Sequence, residues 1–113
     1  MLNISSKNLG GLQCIRVEGE IDMSVSPDVR TALQNAFKKS PKGVIVDLSG
    51  VPYMDSSGIA TLVEGMQWST KERARFILVG VQEKVMNTLK LARLNELFDI
   101  HFTEDDALKS LAH

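Results

Sequence analysis

The chain has 113 residues, 43% of them hydrophobic and 24% charged, with a formal net charge of -1, which suits one globular domain that can bury its own core. No basic stripe is available to neutralise phosphates, which argues against direct binding of nucleic acid. A single cysteine, Cys14, and two histidines rule out an internal disulfide, argue against a zinc site and favour a cytoplasmic setting.

The start, "MLNISSKNLGG", lacks the basic-then-apolar form of a signal peptide, and no apolar run reaches the ~20 residues of a membrane span. "LNIS" alternates weakly; after Gly10-Gly11, "LQCIRVEG" reads as a second strand, so the two predict a hairpin. A helix start follows, with Ser26 as cap, Pro27 at the first helical position and Asp28 in the first turn. Val29, Ala32, Leu33, Ala36 and Phe37 then recur at helical spacing as one buried stripe. Lys38, Lys39 and Lys42 fit the end of that helix and its loop, where cations suit the dipole.

"GVIVDL", bounded by Gly43 and Ser49, is a nearly all-apolar run of the kind expected of a strand covered on both faces. The next helix carries Ile59, Leu62, Val63 and Met66 on one face, with Trp68 nearly opposite and so at least partly exposed. "RFILVG" repeats the covered-strand pattern, "EKVMNTLKLA" the helical one, and "LFDIHF" is a final strand. Thr103 with Asp106 resembles a capping box for a closing helix. Strands alternating with helices predict an α/β domain spanning residues 1–113, with a mostly parallel sheet, right-handed crossovers, an N-terminal edge hairpin and about four helices.

"VPYMDSSGIATLVEG" lies just beyond the carboxyl end of the "GVIVDL" strand, where sites gather in parallel sheets. A helix start there offers free N–H groups and the positive dipole end to a phosphate. Gly58, within the first helical turn, costs roughly 1 kcal/mol against alanine, so it is expected to clear space. Spacing alone leaves two readings of Asp55-Ser56-Ser57-Gly58 open: a turn followed by a helix cap, or a site that uses one of the hydroxyls. The segment superficially resembles the phosphoacceptor region of two-component receivers, with Asp47 as acceptor. Yet the chain lacks their adjacent acidic pair, their strand-end hydroxyl and their lysine, so an aspartyl phosphate would have no magnesium pocket.

Over nearly its full length the sequence resembles the STAS domain (sulfate transporter and anti-sigma factor antagonist), and most of all the small stand-alone anti-sigma factor antagonists. "VEGEIDMSVSPDVRTAL" is similar to the family's Gly-Glu-Leu-Asp segment and first helix. "VIVDLSGVPYMDSSGIATLV" is similar to its phosphorylation segment, and "VMNTLKLARLNELFDI" to its third helix and last strand. The resemblance implies that Ser56, the first serine of Asp-Ser-Ser-Gly, is the phosphorylated residue. It implies further that Asp22, Asp55, Ser56, Ser57, Gly58 and Ile59 form the surface facing a kinase. Arg93 departs from the pattern, standing where the family often has glycine in a left-handed helix end.

What the resemblance implies is a partner switch without catalysis, cofactor or metal. The unphosphorylated domain would bind an anti-sigma factor that is itself a serine kinase, phosphorylation of Ser56 would release it, and a serine phosphatase would reverse the step. Two rivals remain. A hydrolase would need Ser56 or Ser57 beside a base, and only His101 and His113 are available, with no Gly-x-Ser-x-Gly elbow. A STAS subunit of a larger signalling or transporter-associated assembly would act as a scaffold, although such relatives often replace the serine pair. Trp68 is open to two readings as well, an incidental exposed side chain or a partner anchor.

Overall fold

The computed structural model describes residues 2–111. It contains β1 (Asn3–Leu9), β2 (Leu12–Glu18), α1 (Ser26–Phe37), β3 (Gly43–Gly50), α2 (Ser56–Glu72), β4 (Arg75–Val79), α3 (Glu83–Leu91), β5 (Asp99–His101) and α4 (Glu104–Leu111). The strands form one sheet in the order β1-β2-β3-β4-β5. β1 and β2 pair antiparallel, from Asn3 opposite Glu18 to Leu9 opposite Leu12. All later neighbours pair in parallel. The expected α/β architecture, with an edge hairpin and four helices among the described residues, is therefore the one observed.

Alternation along the central strands sorts the core onto two faces. Ile15 and Val17 of β2, Val44, Val46 and Leu48 of β3, and Phe76 and Leu78 of β4 join the larger cluster. Val29 and Leu33 of α1, Leu62 of α2, and Val85 and Leu89 of α3 complete it. The alternate residues Cys14, Ile45, Ile77 and Val79 face the other way and are covered by Ala107, Leu108 and Leu111 of α4. That eight-residue helix cannot cover the whole face, and beyond it Arg16 and Asp47 lie 3.9 Å apart.

Two local readings need adjustment. Ser26 does not cap α1: it is the first helical residue, 7% exposed, and Pro27 falls second. The cap is Val25, which makes no side-chain cap hydrogen bond. Upstream, the Asp22 carbonyl accepts the N–H groups of Val25 at 3.1 Å and Ser26 at 2.8 Å. That turn satisfies donors a capping side chain would otherwise take, so the helix begins one residue early. Lys38 closes α1 at its C-cap, and the last helical turn itself holds no base.

Other details agree with expectation. The Thr103 hydroxyl accepts the Asp106 N–H at 3.1 Å, the cap of α4. Arg93 takes the left-handed conformation, φ 59°, and the Leu94 N–H returns to the Leu89 carbonyl at 2.9 Å. The helix end keeps its shape although arginine replaces the residue that adopts it without strain. Trp68 is half-buried. Its ring meets Phe37 edge-on at 6.2 Å and the Arg30 guanidinium at 5.8 Å, so it helps join α1 to α2.

Candidate functional site

The site is assembled where β2 and β3 run out. Past Glu18 and Gly50 the two strands separate, then meet once more in a single parallel bridge between Ile21 and Met54. The Ile21 N–H donates to the Tyr53 carbonyl at 3.0 Å, and the Asp55 N–H donates to the Ile21 carbonyl at 3.0 Å. Ile21 and Met54 are each 1% exposed. Since neighbours along an extended segment point to opposite sides, burying those two turns Asp22, Tyr53 and Asp55 outward.

Gly58 is what lets that bridge sit so close to α2. A Cβ at this position would stand 2.4 Å from Cγ of Met54 and 2.9 Å from Cγ2 of Ile21. The glycine does clear space, and its own fold fills that space.

Asp55 caps α2, and its carboxylate accepts the Ser57 N–H at 2.9 Å, the Gly58 N–H at 3.4 Å and the Ser57 hydroxyl at 2.6 Å. The two serines consequently differ in state. Ser57 is partly buried with its hydroxyl committed to Asp55, whereas Ser56 is exposed and its hydroxyl bonds to no other described residue. Two serines stand in a row because one builds the cap and the other is left free.

The Asp22 turn has the same construction. Its carboxylate accepts the Ser24 N–H at 2.9 Å and the Ser24 hydroxyl at 2.5 Å. In each turn an aspartate binds the residue two places on, and the residue between them, Met23 or Ser56, is exposed. The Ser57 hydroxyl and then its backbone hold the Asp55 carboxyl below the usual carboxylate range, with the N–H groups of Gly58 and Met23 adding to it. Ser24 does the same for Asp22, while the neighbouring Asp55 charge opposes the shift. Both groups are carboxylates at neutral pH.

Asp22, Asp55, Ser56 and Ser57 are therefore brought together at one end of the sheet. Gly58 and Ile59 belong to the same turn but are buried, Ile59 at 7% exposure, so they support this surface from below. Sequence reading passed over Met23, 74% exposed, and Tyr53, 45% exposed, which flank the two aspartates. Their apolar character resembles core patterning, and only the register of the Ile21–Met54 bridge shows which way they face. Elsewhere, His101 stands on β5 with its ring 2.8 Å from an Asp99 oxygen, and no serine is bonded to it. His113 lies outside the described residues. Asp47 accepts the Ser49 N–H at 2.9 Å on β3 and takes no part in this turn.

A family model described as the STAS domain matches residues 3–107. The chain is 27% identical over 92 residues to an anti-sigma-B factor antagonist of Listeria monocytogenes, 81% of each sequence being covered. The crystal structure of an anti-sigma factor antagonist from Mycobacterium paratuberculosis superposes with a TM-score of 0.91 at 26% identity, covering 100% of this chain and 96% of that one. The Bacillus cell fate determinant SpoIIAA in its phosphorylated form shares the fold, with a TM-score of 0.75 at 20% identity over 96% of this chain and 99% of that one.

Proposed function

The chain belongs to the STAS domain family, and on that premise we propose that it is an anti-sigma factor antagonist working as a phosphorylation-controlled partner switch in the cytoplasm. The observation that carries this reading is the inequality of the two serines. Ser56 presents a free, exposed hydroxyl at the first position of α2, and Ser57 beside it is bound to Asp55. The surface around Ser56, with Asp22 and Asp55, docks an anti-sigma factor that is a serine kinase.

In the transfer step the Ser56 hydroxyl oxygen bonds to the γ-phosphorus of ATP. The bond from that phosphorus to the ADP oxygen breaks, and the hydroxyl proton passes to a base of the kinase and from there to water. The product carries about -1.5 to -2 charges at neutral pH. The fold tolerates them, because the N-terminal end of α2 is the positive end of the helix dipole. The partner does not, because a hydrated dianion beside Asp22 and Asp55 must be stripped of water as the interface closes. A serine phosphatase restores the hydroxyl. In this reading the domain is the substrate of the switch, and the kinase and the phosphatase are its enzymes.

The test is incubation with the cognate kinase and ATP, followed by peptide mass spectrometry. Modification confined to Ser56 supports the reading, and modification confined to Ser57 or Asp47 overturns it. A scaffold role in a larger assembly is the second reading. The observation favouring it is Phe102, 90% exposed, beside a groove of about 320 Å³ lined in part by Val81, Met86 and Ile100. Equal affinity of the kinase for the parent, Ser56→Ala and Ser56→Glu would select that role.

A further inference from the structure

Resting on the reading of the Ser56 surface as a partner face, a further question is which side chains the partner grips. Met23 and Tyr53 are the two large apolar side chains exposed there, at 74% and 45%. Their position is enforced. Tyr53 is turned outward because the adjacent Met54 is buried in the bridge with Ile21. Met23 occupies the middle of the Asp22–Ser24 turn, as Ser56 occupies the middle of the Asp55–Ser57 turn. The Asp55 N–H donates to the Ile21 carbonyl at 3.0 Å, which holds the two turns against each other.

The charges beside these side chains that form no ion pair among the described residues are acidic. Residues 17–29 hold Glu18, Glu20, Asp22 and Asp28 with no lysine or arginine, and the turn at 51–58 holds Asp55 alone. Arg16 pairs with Glu18 at 2.9 Å, and Arg30 with Glu64 further along α2 at 2.8 Å. Glu20, Asp22, Asp28 and Asp55 are left without an ion pair among the described residues, in a chain whose net charge is only -1. A partner that buried this rim without cations would leave carboxylates unpaired.

We propose that Met23 and Tyr53 are the apolar anchors of the Ser56 surface, and that the surface fits a protein whose contact face is an apolar pocket rimmed by lysine or arginine. The acidic rim steers the encounter and the two side chains hold the complex. This arrangement also accounts for release by a phosphate despite a cationic rim. The new dianion arises beside the side chains that must be dried, and its hydration keeps the pocket from closing on them.

The test is calorimetric titration of this chain with its purified anti-sigma serine kinase in ADP. Met23→Ala and Tyr53→Ala should each weaken binding about tenfold or more. Phe102→Ala, at a side chain 90% exposed and outside this surface, should leave it unchanged. Affinity of the parent should fall as salt rises. Parent-like affinity in both anchor variants, or an equal loss in Phe102→Ala, overturns the anchor assignment, and salt-independent binding overturns the cationic rim. Circular dichroism melts matching the parent show that an altered affinity is not an altered fold. Ser56→Glu in the same titrations separates the two levels of inference. If it alone loses affinity, the switch stands and the anchors fall; if it binds like the parent while the anchor variants lose, the anchors stand and the switch falls.

Discussion

Ile21 and Met54 pair once, beyond the ends of β2 and β3, and this isolated bridge joins the Asp22 turn to the start of α2. Everything exposed at the candidate site takes its direction from that pair, since both side chains are 1% exposed and their neighbours must point away. Gly58 lies against the same pair, so packing and site geometry rest on one contact.

The Ser56 variants should separate stability from binding. Ser56 is exposed and contributes no hydroxyl bond to another described residue, so Ser56→Ala and Ser56→Asp should each unfold within ~1 kcal/mol of the parent in urea. In titrations with the kinase, Ser56→Ala should bind like the parent and Ser56→Glu more weakly. A stability loss several times larger would mean that Ser56 is structural. Asp22→Ala should bind more weakly if Asp22 pairs with a cation on the kinase, and nearly as well as the parent if it only repels phosphate.

Gly58→Ala should destabilise the fold and disturb the site together. The added Cβ would meet Met54 Cγ at 2.4 Å and Ile21 Cγ2 at 2.9 Å. Met54 can swing aside more readily than the branched Ile21, so relief is incomplete. Overpacking of this kind costs about 1–3 kcal/mol, against roughly 1 kcal/mol gained in helix propensity. A urea midpoint equal to or above that of the parent would contradict the close-packing account.

Arg93→Gly should stabilise. Arg93 holds φ at 59°, a region that strains an L side chain by about 1 kcal/mol and glycine hardly at all. Glycine also makes the unfolded chain more flexible, so the net gain should be about 0.5 kcal/mol, read as a higher urea midpoint. A lower midpoint would mean that the arginine side chain contributes more than its backbone costs.

Stability should fall at both extremes of pH, for opposite reasons. Burial, then the Glu104 charge, raises the Cys14 thiol from an ordinary 9.0 to about 11. The unfolded chain releases this proton first, so the stability it contributes is full below about 9 and is lost as pH climbs to about 11. Cys14→Ala should flatten that alkaline decline, and the native thiol should alkylate slowly at pH 8. Asp22 and Asp55 are shifted downward by Ser24 and Ser57. Their contribution is present above the ordinary value of 3.8 and disappears as pH falls through the lower folded values. Ser24→Ala and Ser57→Ala should therefore shallow the acid limb of the pH–stability curve measured by thermal melts.

The order of strands and helices was legible in the sequence because hydrophobic period is a local property. The runs at 43–48 and 75–80 have the pattern expected of covered strands, and residues 29–37 and 59–66 carry helical stripes. The Asp-Ser-Ser-Gly segment was legible as a helix start for the same reason. What spacing could not decide was which serine is free, because that depends on where one carboxylate points. Asp55 turns onto Ser57, and the tertiary contact with Ile21 fixes Asp55 in that place. The cap of α1 moved from Ser26 to Val25 through carbonyl bonds from Asp22, which no side-chain pattern encodes. Met23 and Tyr53 stayed hidden because composition records that a residue is apolar and not which side of a bridge it occupies. Local preference wrote the elements, and the packing of Ile21, Met54 and Gly58 decided which side chains reach solvent at their junction.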